Sequence, residues 1–277
     1  MRLTIVQSEL AWENAAANRN MFARKIAPLA GQTDLVVLPE MFTTGFSMNA
    51  SALAEPMDGP TVQWMGEQAA KTGAAVTGSF ICTENRQYFN RLIFMRPDGT
   101  YDLYDKRHLF TLAGEHEFYT PGNKQIVADW MGWRIRPLVC YDLRFPVWSR
   151  NAAPHDSGNL PSGTTDSGAS GQAKTGSADL YLYVANWPGR RAHHWRTLLA
   201  ARAIENQAFV AGVNIVGKDG NGYEYVGDSA IIDFSGQPFV QISGQEGAHT
   251  TELSLDSLRQ YRQQLPFLQD GDVFQLR

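Results

Sequence analysis

The chain has 277 residues, of which 43% are hydrophobic, and its 24 Lys and Arg residues against 28 Asp and Glu residues give a net charge of −4 at pH 7. A chain of this length can bury one sizeable core. The slightly acidic balance argues against nucleic acid, because proteins that bind it concentrate positive charge on one surface. No apolar run approaches the roughly 18 residues of a membrane-spanning helix, so we expect a soluble protein with no nucleic-acid or membrane partner.

The start of the chain and its cysteines bear on location. The sequence opens with a predicted strand over residues 3–7 rather than with a basic and then apolar leader, which indicates no signal peptide. Two cysteines, Cys82 and Cys140, fit a reducing compartment if one of them is needed as a free thiol. We therefore expect a cytoplasmic protein.

Both halves of the chain contain the same series of predicted elements, an apolar strand, a helix, a second strand and a hairpin turn. The first series spans residues 35–38, 62–71, 74–80 and the turn at 97–99, and the second spans 180–184, 195–207, 208–214 and the turn at 235–236. A duplicated layer of strands covered by helices predicts an α/β fold, a four-layer α-β-β-α sandwich within one domain over residues 1–277.

One segment, residues 151–178, does not fit a compact domain. It is rich in Ser and Gly, and Leu160 is its only large aliphatic residue. Such a composition cannot bury enough surface to offset the entropy lost on ordering, so we expect a flexible surface insertion. Because it begins shortly after Cys140, a lid over a site remains an alternative to a neutral loop.

Cys140 lies where an apolar strand gives way to a polar turn. A thiol at such a junction is presented as a nucleophile, with free backbone N–H groups beside it. Most buried cysteines are simply small hydrophobic residues, and we assign that role to Cys82, which lies within the apolar run at residues 80–82.

Two other reactive side chains lie at strand ends upstream. Glu40 follows the strand at residues 35–38, and Lys106 follows residues 101–105, where alternation places Tyr104 and Lys106 on one face. Each alone would be a solvated acid or a surface lysine. Together with Cys140 they supply the groups for amide hydrolysis through a thioester. Glu40 would take the thiol proton and return it to ammonia, while Lys106 would favour the thiolate and stabilise the oxyanion with the Tyr141 backbone N–H.

Three motifs carry a resemblance to a known family. They are residues 38–42 (Leu-Pro-Glu-Met-Phe), 104–110 (Tyr-Asp-Lys-Arg-His-Leu-Phe) and 139–146 (Val-Cys-Tyr-Asp-Leu-Arg-Phe-Pro). In this order they resemble the nitrilase superfamily of carbon–nitrogen hydrolases, whose fold is the same sandwich. The resemblance assigns the family's Glu-Lys-Cys triad to Glu40, Lys106 and Cys140. It also implies a further functional glutamate before a Pro-Gly pair, for which Glu115 fits and Glu117 is the alternative.

The residues after the cysteine are similar to those of the omega-amidase branch. True nitrilases typically carry Trp-Glu there, and carbamoylases carry Asn-Asp. The resemblance thus implies hydrolysis of the ω-amide of a small 2-oxo acid, such as 2-oxoglutaramate or 2-oxosuccinamate, to a dicarboxylate and ammonia. It also implies a homodimer and no cofactor. The alternatives are another small aliphatic amide, a nitrile, an N-carbamoyl compound, or a binding protein without turnover.

The basic loop after the strand at 180–184 should border the pocket, because the equivalent strand in the first half leads to Glu40. Its Arg190, Arg191, His193 and His194 are the candidates for binding a substrate carboxylate. The two histidines are adjacent, so one helix or strand side cannot present both to one metal, and we expect no metal site.

Three further residues are predicted to shape the site. Phe42 and Trp187, which follow equivalent strands, are candidates for the pocket wall. Arg144 is a candidate for substrate binding, although its position so soon after the nucleophile favours a role in ordering the turn by pairing with Asp142 or Glu115.

Overall fold

The structure, a computed structural model, describes residues 1–151 and 177–272. It contains two β-sheets. The strands of the first are β1 (Arg2–Gln7), β2 (Leu35–Val37), β3 (Ala75–Glu84), β4 (Gln87–Met95), β5 (Tyr101–Asp105) and β13 (Gly247–Glu252). Their order is β13-β1-β2-β3-β4-β5, with β1, β2 and β3 parallel and the other strands added antiparallel at the two sides.

The second sheet repeats this arrangement. Its strands are β6 (Ala128–Trp130), β7 (Trp133–Val139), β8 (Leu180–Val184), β9 (Phe209–Val213), β10 (Val216–Lys218), β11 (Glu224–Ile232) and β12 (Pro238–Ser243). Here β7, β8 and β9 are parallel, and β11 pairs antiparallel with β9. The order is β10-β11-β9-β8-β7-β6, and β12 pairs with β11.

Long helices cover the outer faces of the two sheets, and short ones lie in the loops. They are α1 (Ala15–Ile26), α2 (Ala50–Leu53), α3 (Pro60–Thr72), α4 (Glu115–Phe118), α5 (Ala192–Asn206) and α6 (Leu255–Gln264). Local sequence sets several of their ends. The Asn14 side chain accepts a hydrogen bond from the Ala17 N–H at the start of α1, and α3 begins with a proline and ends at Gly73 in the left-handed conformation. No helix in the described ranges is both long enough and apolar enough to cross a membrane.

The strand β2 shows how the layers pack. Leu35 and Val37 belong to the core between the two sheets, whereas Val36 packs with Phe22 of α1 and Met65 of α3. Alternation along the strand thus buries both of its faces. Polar groups can emerge only beyond its end, which is where Glu40 lies.

The predicted four-layer α-β-β-α sandwich is confirmed, as is the repeat of strand, helix and strand in the two halves. Two features were not predicted. One is the tight hairpin between β3 and β4, whose turn residues Asn85 and Arg86 both have positive φ without a glycine to signal it. The other is β13, which returns from the far end of the chain to pair with β1.

The predicted insertion at 151–178 lies outside the described residues, except for its two ends. These ends are tied to each other. The Asn151 side-chain amide donates to the Ala178 carbonyl oxygen at 3.1 Å, and the Ala178 N–H donates back to Asn151 Oδ1 at 2.7 Å. The insertion therefore begins and ends at one place on the second sheet.

Candidate active site

The segments that follow the central parallel strands of the two sheets contact each other. Glu40 follows β2, and Asn186 follows β8. The Asn186 backbone N–H donates to Glu40 Oε2 at 2.8 Å, and its side-chain amide donates to the Glu40 carbonyl oxygen at 2.6 Å. The repeated halves therefore join at Glu40 itself.

Lys106 lies between two carboxylates. Its Nζ donates to Glu40 Oε1 at 2.9 Å and to the two oxygens of Glu115 at 3.0 and 2.9 Å. All three side chains are 0% exposed. Burial by itself would lower the pKa of Lys106, but the charges of Glu115 and Glu40 raise it, so the ammonium stays charged. We call Glu40, Lys106 and Glu115 the buried ionic cluster.

The cluster has further donors that sequence reasoning missed. Asn90 of β4 donates to Glu40 Oε1 at 2.8 Å, and the Phe110 N–H donates to Glu115 Oε2 at 2.6 Å. The sequence gives no clear signal for Asn90, because it stands between Phe89 and Arg91 in β4 and no pattern shows that it is buried. Burial raises the pKa of Glu115, and the repulsion of Glu40 adds to this effect against the attraction of Lys106.

Cys140 lies beside the cluster at the end of β7. It is 9% exposed, and its φ of 46° is unusual for a residue other than glycine. Burial raises the pKa of its thiol well above the ordinary value, the Glu40 carboxylate raises it further, and the Lys106 charge opposes both. Lys106 thus favours the thiolate, as predicted, but burial and Glu40 outweigh it, and the resting group is a thiol.

A cavity of about 510 Å³ opens next to Cys140. Its wall combines aromatic rings with positive charge, and Asp219 is its one carboxylate among the described residues. The lining residues most relevant to recognition are Cys140, Tyr141, Phe46, Phe110, Trp187, Tyr223, Tyr225, Arg144, Arg190 and Arg191. Both Asp219 oxygens are already engaged, one by the N–H groups of Asn221 and Tyr223 and the other by the Tyr225 hydroxyl.

Three arginines on this wall have no ion-pair partner in the part of the chain that the structure describes. Each instead lies over an aromatic ring. The guanidinium carbon is 4.7 Å from the Trp187 ring for Arg144, 5.2 Å from the Tyr223 ring for Arg190, and 5.2 Å from the Phe110 ring for Arg191. Burial lowers the pKa of Arg191, and repulsion from the other two arginines lowers it further. The cavity is therefore suited to an anion.

The structure brings most of the predicted site residues together. Glu40, Lys106 and Glu115 form the cluster, and Cys140, Tyr141, Arg144, Trp187 and Arg190 line the cavity beside it. Glu117, the alternative to Glu115, is exposed.

Three predicted pocket residues lie elsewhere. Phe42 is completely buried against Phe22 and Trp64 on the helix side of the sheet. Phe46, not Phe42, lines the cavity wall. His193 and His194 are exposed in the first turn of α5 and do not line the cavity. The helix begins earlier than predicted, and both rings lie in its exposed first turn.

The expected pairing of Arg144 with Asp142 or Glu115 is also wrong. Arg144 contacts the ring nitrogen of His194 at 3.1 Å instead. Both carboxylates are saturated by other donors, Glu115 by the cluster and Asp142 by groups from two chain segments. Arg144 is consequently free to face the cavity.

The position of Lys106 depends on the Pro121-Gly122 pair. The Gly122 N–H donates to the Lys106 carbonyl oxygen at 2.9 Å. A Cβ at Gly122 would lie 2.1 Å from the Asp105 carbonyl oxygen, which belongs to the backbone and cannot turn aside. Only glycine permits this approach, which fixes the strand end that carries Lys106.

We expect Gly122→Ala to lower stability by about 1–3 kcal/mol, because the added methyl group must displace the backbone of β5, and to lower activity by moving Lys106. Gly66→Ala in α3 is the control, since a Cβ there meets nothing within 4 Å and should be neutral or stabilising. Urea denaturation and ammonia release measure both effects. Equal stability and activity of Gly122→Ala and the parent would contradict this account.

The comparisons with known proteins agree with this site. The model of the carbon–nitrogen hydrolase family matches residues 2–263, so the chain belongs to that family of enzymes. Two curated relatives extend over almost the whole chain. Omega-amidase YafV of Yersinia enterocolitica is 45% identical to this chain, in an alignment that covers 100% of this chain and 98% of the relative. 2-Oxoglutaramate amidase of Bacillus subtilis is 30% identical, in an alignment that covers 97% of this chain and 96% of the relative.

Solved structures give the same assignment. The crystal structure of XC1258 from Xanthomonas campestris, a CN-hydrolase superfamily protein with an arsenic adduct in its active site, is similar to this chain with a TM-score of 0.91 and 48% identity, covering 100% of this chain and 99% of that one. The resemblance found in the sequence is thus confirmed, including its closeness to the omega-amidases, and the protein is an enzyme of the amidase type.

Proposed function

We propose that the protein hydrolyses the ω-amide of small 2-oxo acids, such as 2-oxoglutaramate and 2-oxosuccinamate, through a thioester on Cys140. One observation carries the proposal. The same cavity exposes a thiol beside a carboxylate and presents three arginines without acidic partners among the described residues. The chemistry of an amide that also bears a carboxylate fits both features, and relatives named omega-amidase and 2-oxoglutaramate amidase support it.

The first half of the reaction forms the thioester. Because burial and Glu40 keep Cys140 protonated, its proton leaves for Glu40 as the sulfur attacks the amide carbon, not beforehand. The charge on the carbonyl oxygen is stabilised by Lys106 and the Tyr141 N–H. Collapse of this intermediate breaks the carbon–nitrogen bond, and Glu40 gives the proton to the departing ammonia.

The second half releases the acid. Glu40 takes a proton from water, whose oxygen attacks the thioester carbon, and the sulfur leaves as thiolate to recover the proton from Glu40. Glu115 contributes by holding Lys106 with both of its oxygens. It is a positioning residue in this scheme, because its contacts are with Lys106, Asn90 and the Phe110 N–H.

Neutral substrates leave the arginines without a role. A neutral amide or nitrile would reach the thiol but would leave three positive charges on the wall uncompensated. An N-carbamoyl amino acid also carries a carboxylate, so the residues after Cys140 and the relatives named omega-amidase, not the arginines, favour the ω-amide over it. A binding protein without turnover would not need the complete set of Glu40, Lys106 and Cys140. The expectations of a cytoplasmic location, a homodimer and no cofactor remain predictions from the sequence.

We expect Cys140→Ala to abolish ammonia release from 2-oxoglutaramate and Cys140→Ser to come close to abolishing it, because the sulfur is the only nucleophile proposed. Both variants should keep the melting temperature of the parent within a few degrees. Cys82→Ala is the matched control and should retain turnover. Full activity in Cys140→Ala would falsify the mechanism, and loss of activity in Cys82→Ala would point to the other thiol.

We expect iodoacetamide to modify Cys140 and not Cys82 at neutral pH. Burial raises the pKa of Cys82 to about 11, and its Sγ donates to the Thr83 carbonyl oxygen and not to a carboxylate. The pKa of Cys140 is also raised, but Glu40 accepts its proton during attack. Glu40→Gln removes the carboxylate that takes this proton during the reaction and should cost roughly 10²-fold in kcat. Mass spectrometry of the labelled peptides shows which thiol reacts, and an unchanged kcat in Glu40→Gln would exclude Glu40 as the base.

The arginines are tested by comparing an acidic with a neutral amide of similar size. Each of Arg144→Gln, Arg190→Gln and Arg191→Gln removes a charged hydrogen-bond donor, which is worth about 10- to 100-fold in kcat/KM if it contacts the substrate carboxylate. We expect that loss with succinamate and little change with butyramide. Arg259→Gln on α6, exposed and outside the cavity, is the control. Equal losses on both amides, or none from any of the three variants, would remove the arginines from recognition.

A further inference from the structure

Asp142 is a buried carboxylate two positions after Cys140, and within residues 1–151 and 177–272 it has no Lys or Arg partner. Its side chain is 0% exposed, yet both oxygens are saturated. Oδ1 accepts from the His108 backbone N–H at 3.0 Å and contacts the His108 ring Nδ1 at 2.8 Å. Oδ2 accepts from the Tyr104 hydroxyl at 2.7 Å and from the Val139 N–H at 3.1 Å. A carboxylate buried in this way is stable only while all of these donors hold their places.

The donors come from the two segments that carry the reacting groups. Val139 immediately precedes Cys140, so its bond to Asp142 closes the turn around the thiol. Tyr104 and His108 flank Lys106 on either side, and their side chains reach Asp142 while that of Lys106 reaches the buried ionic cluster. One carboxylate therefore connects the turn that carries Cys140 to the segment that carries Lys106.

The turn itself requires such support. Cys140 has a φ of 46°, a conformation that side chains other than glycine adopt reluctantly and that persists only where the surroundings enforce it. The same backbone sets the direction of the Tyr141 N–H, which is the second donor to the oxyanion in the proposed reaction. Any rotation of the turn would move the thiol and this donor together.

A second layer of contacts holds the donors to Asp142. The Trp148 indole N–H donates to the Tyr104 oxygen at 2.9 Å, which directs the Tyr104 proton to Asp142. The His108 ring stacks on Phe145, with ring centroids 3.8 Å apart and planes 9° from parallel. Burial raises the pKa of Tyr104 well above the ordinary value, and the charge of Asp142 raises it further, so the hydroxyl keeps its proton as a donor.

We propose that Asp142 is a positioning residue for amide hydrolysis, and that it acts with Tyr104 and His108 as one clamp that fixes Cys140 relative to Lys106. The proposal rests on the proposed function for the identity of the reaction, but the geometry of the clamp does not depend on the substrate. Its effect should fall on the rate of chemistry and on the reactivity of the thiol, with substrate binding in the arginine-lined part of the cavity largely preserved.

The test uses Asp142→Asn, which keeps the size of the side chain. It replaces one of the two accepting oxygens with an NH2 group, which then faces groups that themselves donate hydrogen bonds. We expect kcat to fall by about 10²-fold, the loss typical of a small misplacement of reacting groups, while KM stays within about threefold. Labelling of Cys140 by iodoacetamide should slow at least about tenfold. Asp228→Asn is the matched control, because Asp228 is a buried aspartate on β11 with an arginine partner outside the cavity, and it should change neither quantity.

Tyr104→Phe and the double variant complete the test. Tyr104→Phe keeps the ring and removes one donor, so it should show a smaller loss of the same kind, and the double variant should be no worse than Asp142→Asn alone because the residues act as a unit. If Asp142→Asn does not fold, the effect of Tyr104→Phe on kcat and labelling decides. The clamp would be overturned if kcat and the labelling rate of the single variants stay within about twofold of the parent. It would also be overturned if the loss in the double variant equals the product of the losses in the two single variants. If the parent hydrolyses no 2-oxo-acid amide, the proposed function fails, while the labelling rates still decide the clamp.

Discussion

The structure depends on burying two carboxylates and one ammonium group where the two sheets meet. Removing such charges from water costs several kcal/mol for each ion unless every lone pair and proton finds a partner. Glu40 meets this condition with Lys106 and Asn90 on one oxygen and the Asn186 N–H on the other. These partners come from both halves of the chain. The cluster can therefore form only when both sheets are in place, and completion of the fold and completion of the site are the same event.

The protonation of Cys140 is a consequence of this cluster. A thiol next to a buried carboxylate cannot ionise easily, because the thiolate would lie in a dry site beside a like charge. Thiolates, not thiols, are oxidised and alkylated most readily. Keeping the proton on sulfur thus limits side reactions, and in the proposed reaction the adjacent carboxylate takes that proton once a carbonyl carbon is in position. Cys82 is also buried, but its Sγ donates to the Thr83 carbonyl oxygen and not to a carboxylate.

Sequence reasoning reached the sandwich and the strand-end residues because both rest on simple geometry. Parallel strands buried on two faces leave polar groups only at their ends, and equivalent strands in two halves bring Glu40 and the loop after β8 together. Contacts set by three-dimensional packing were missed. Phe42 and Phe46 both follow Glu40 in an irregular loop. The hydrogen bond from the Phe42 N–H to the Ser79 carbonyl oxygen decides which of the two rings enters the core, and no sequence pattern predicts that bond. Charge complementarity suggested that Arg144 pairs with Asp142, but neutral donors had already filled that carboxylate.

The charge distribution of the site also bears on the release of product. In the proposed reaction the substrate has one carboxylate, which relieves the repulsion among the three arginines, and its neutral amide lies beside Glu40 without electrostatic cost. Hydrolysis converts that amide into a carboxylic acid, which becomes a second carboxylate when it gives its remaining proton to ammonia or solvent. Once Glu40 has returned its proton, the new anion faces a like charge in a buried site, where repulsion is strong. The residue that serves as the base thus also opposes retention of the product, whereas the arginines, which still hold the other carboxylate, favour it. Turnover would depend on the balance between these two ends of one cavity.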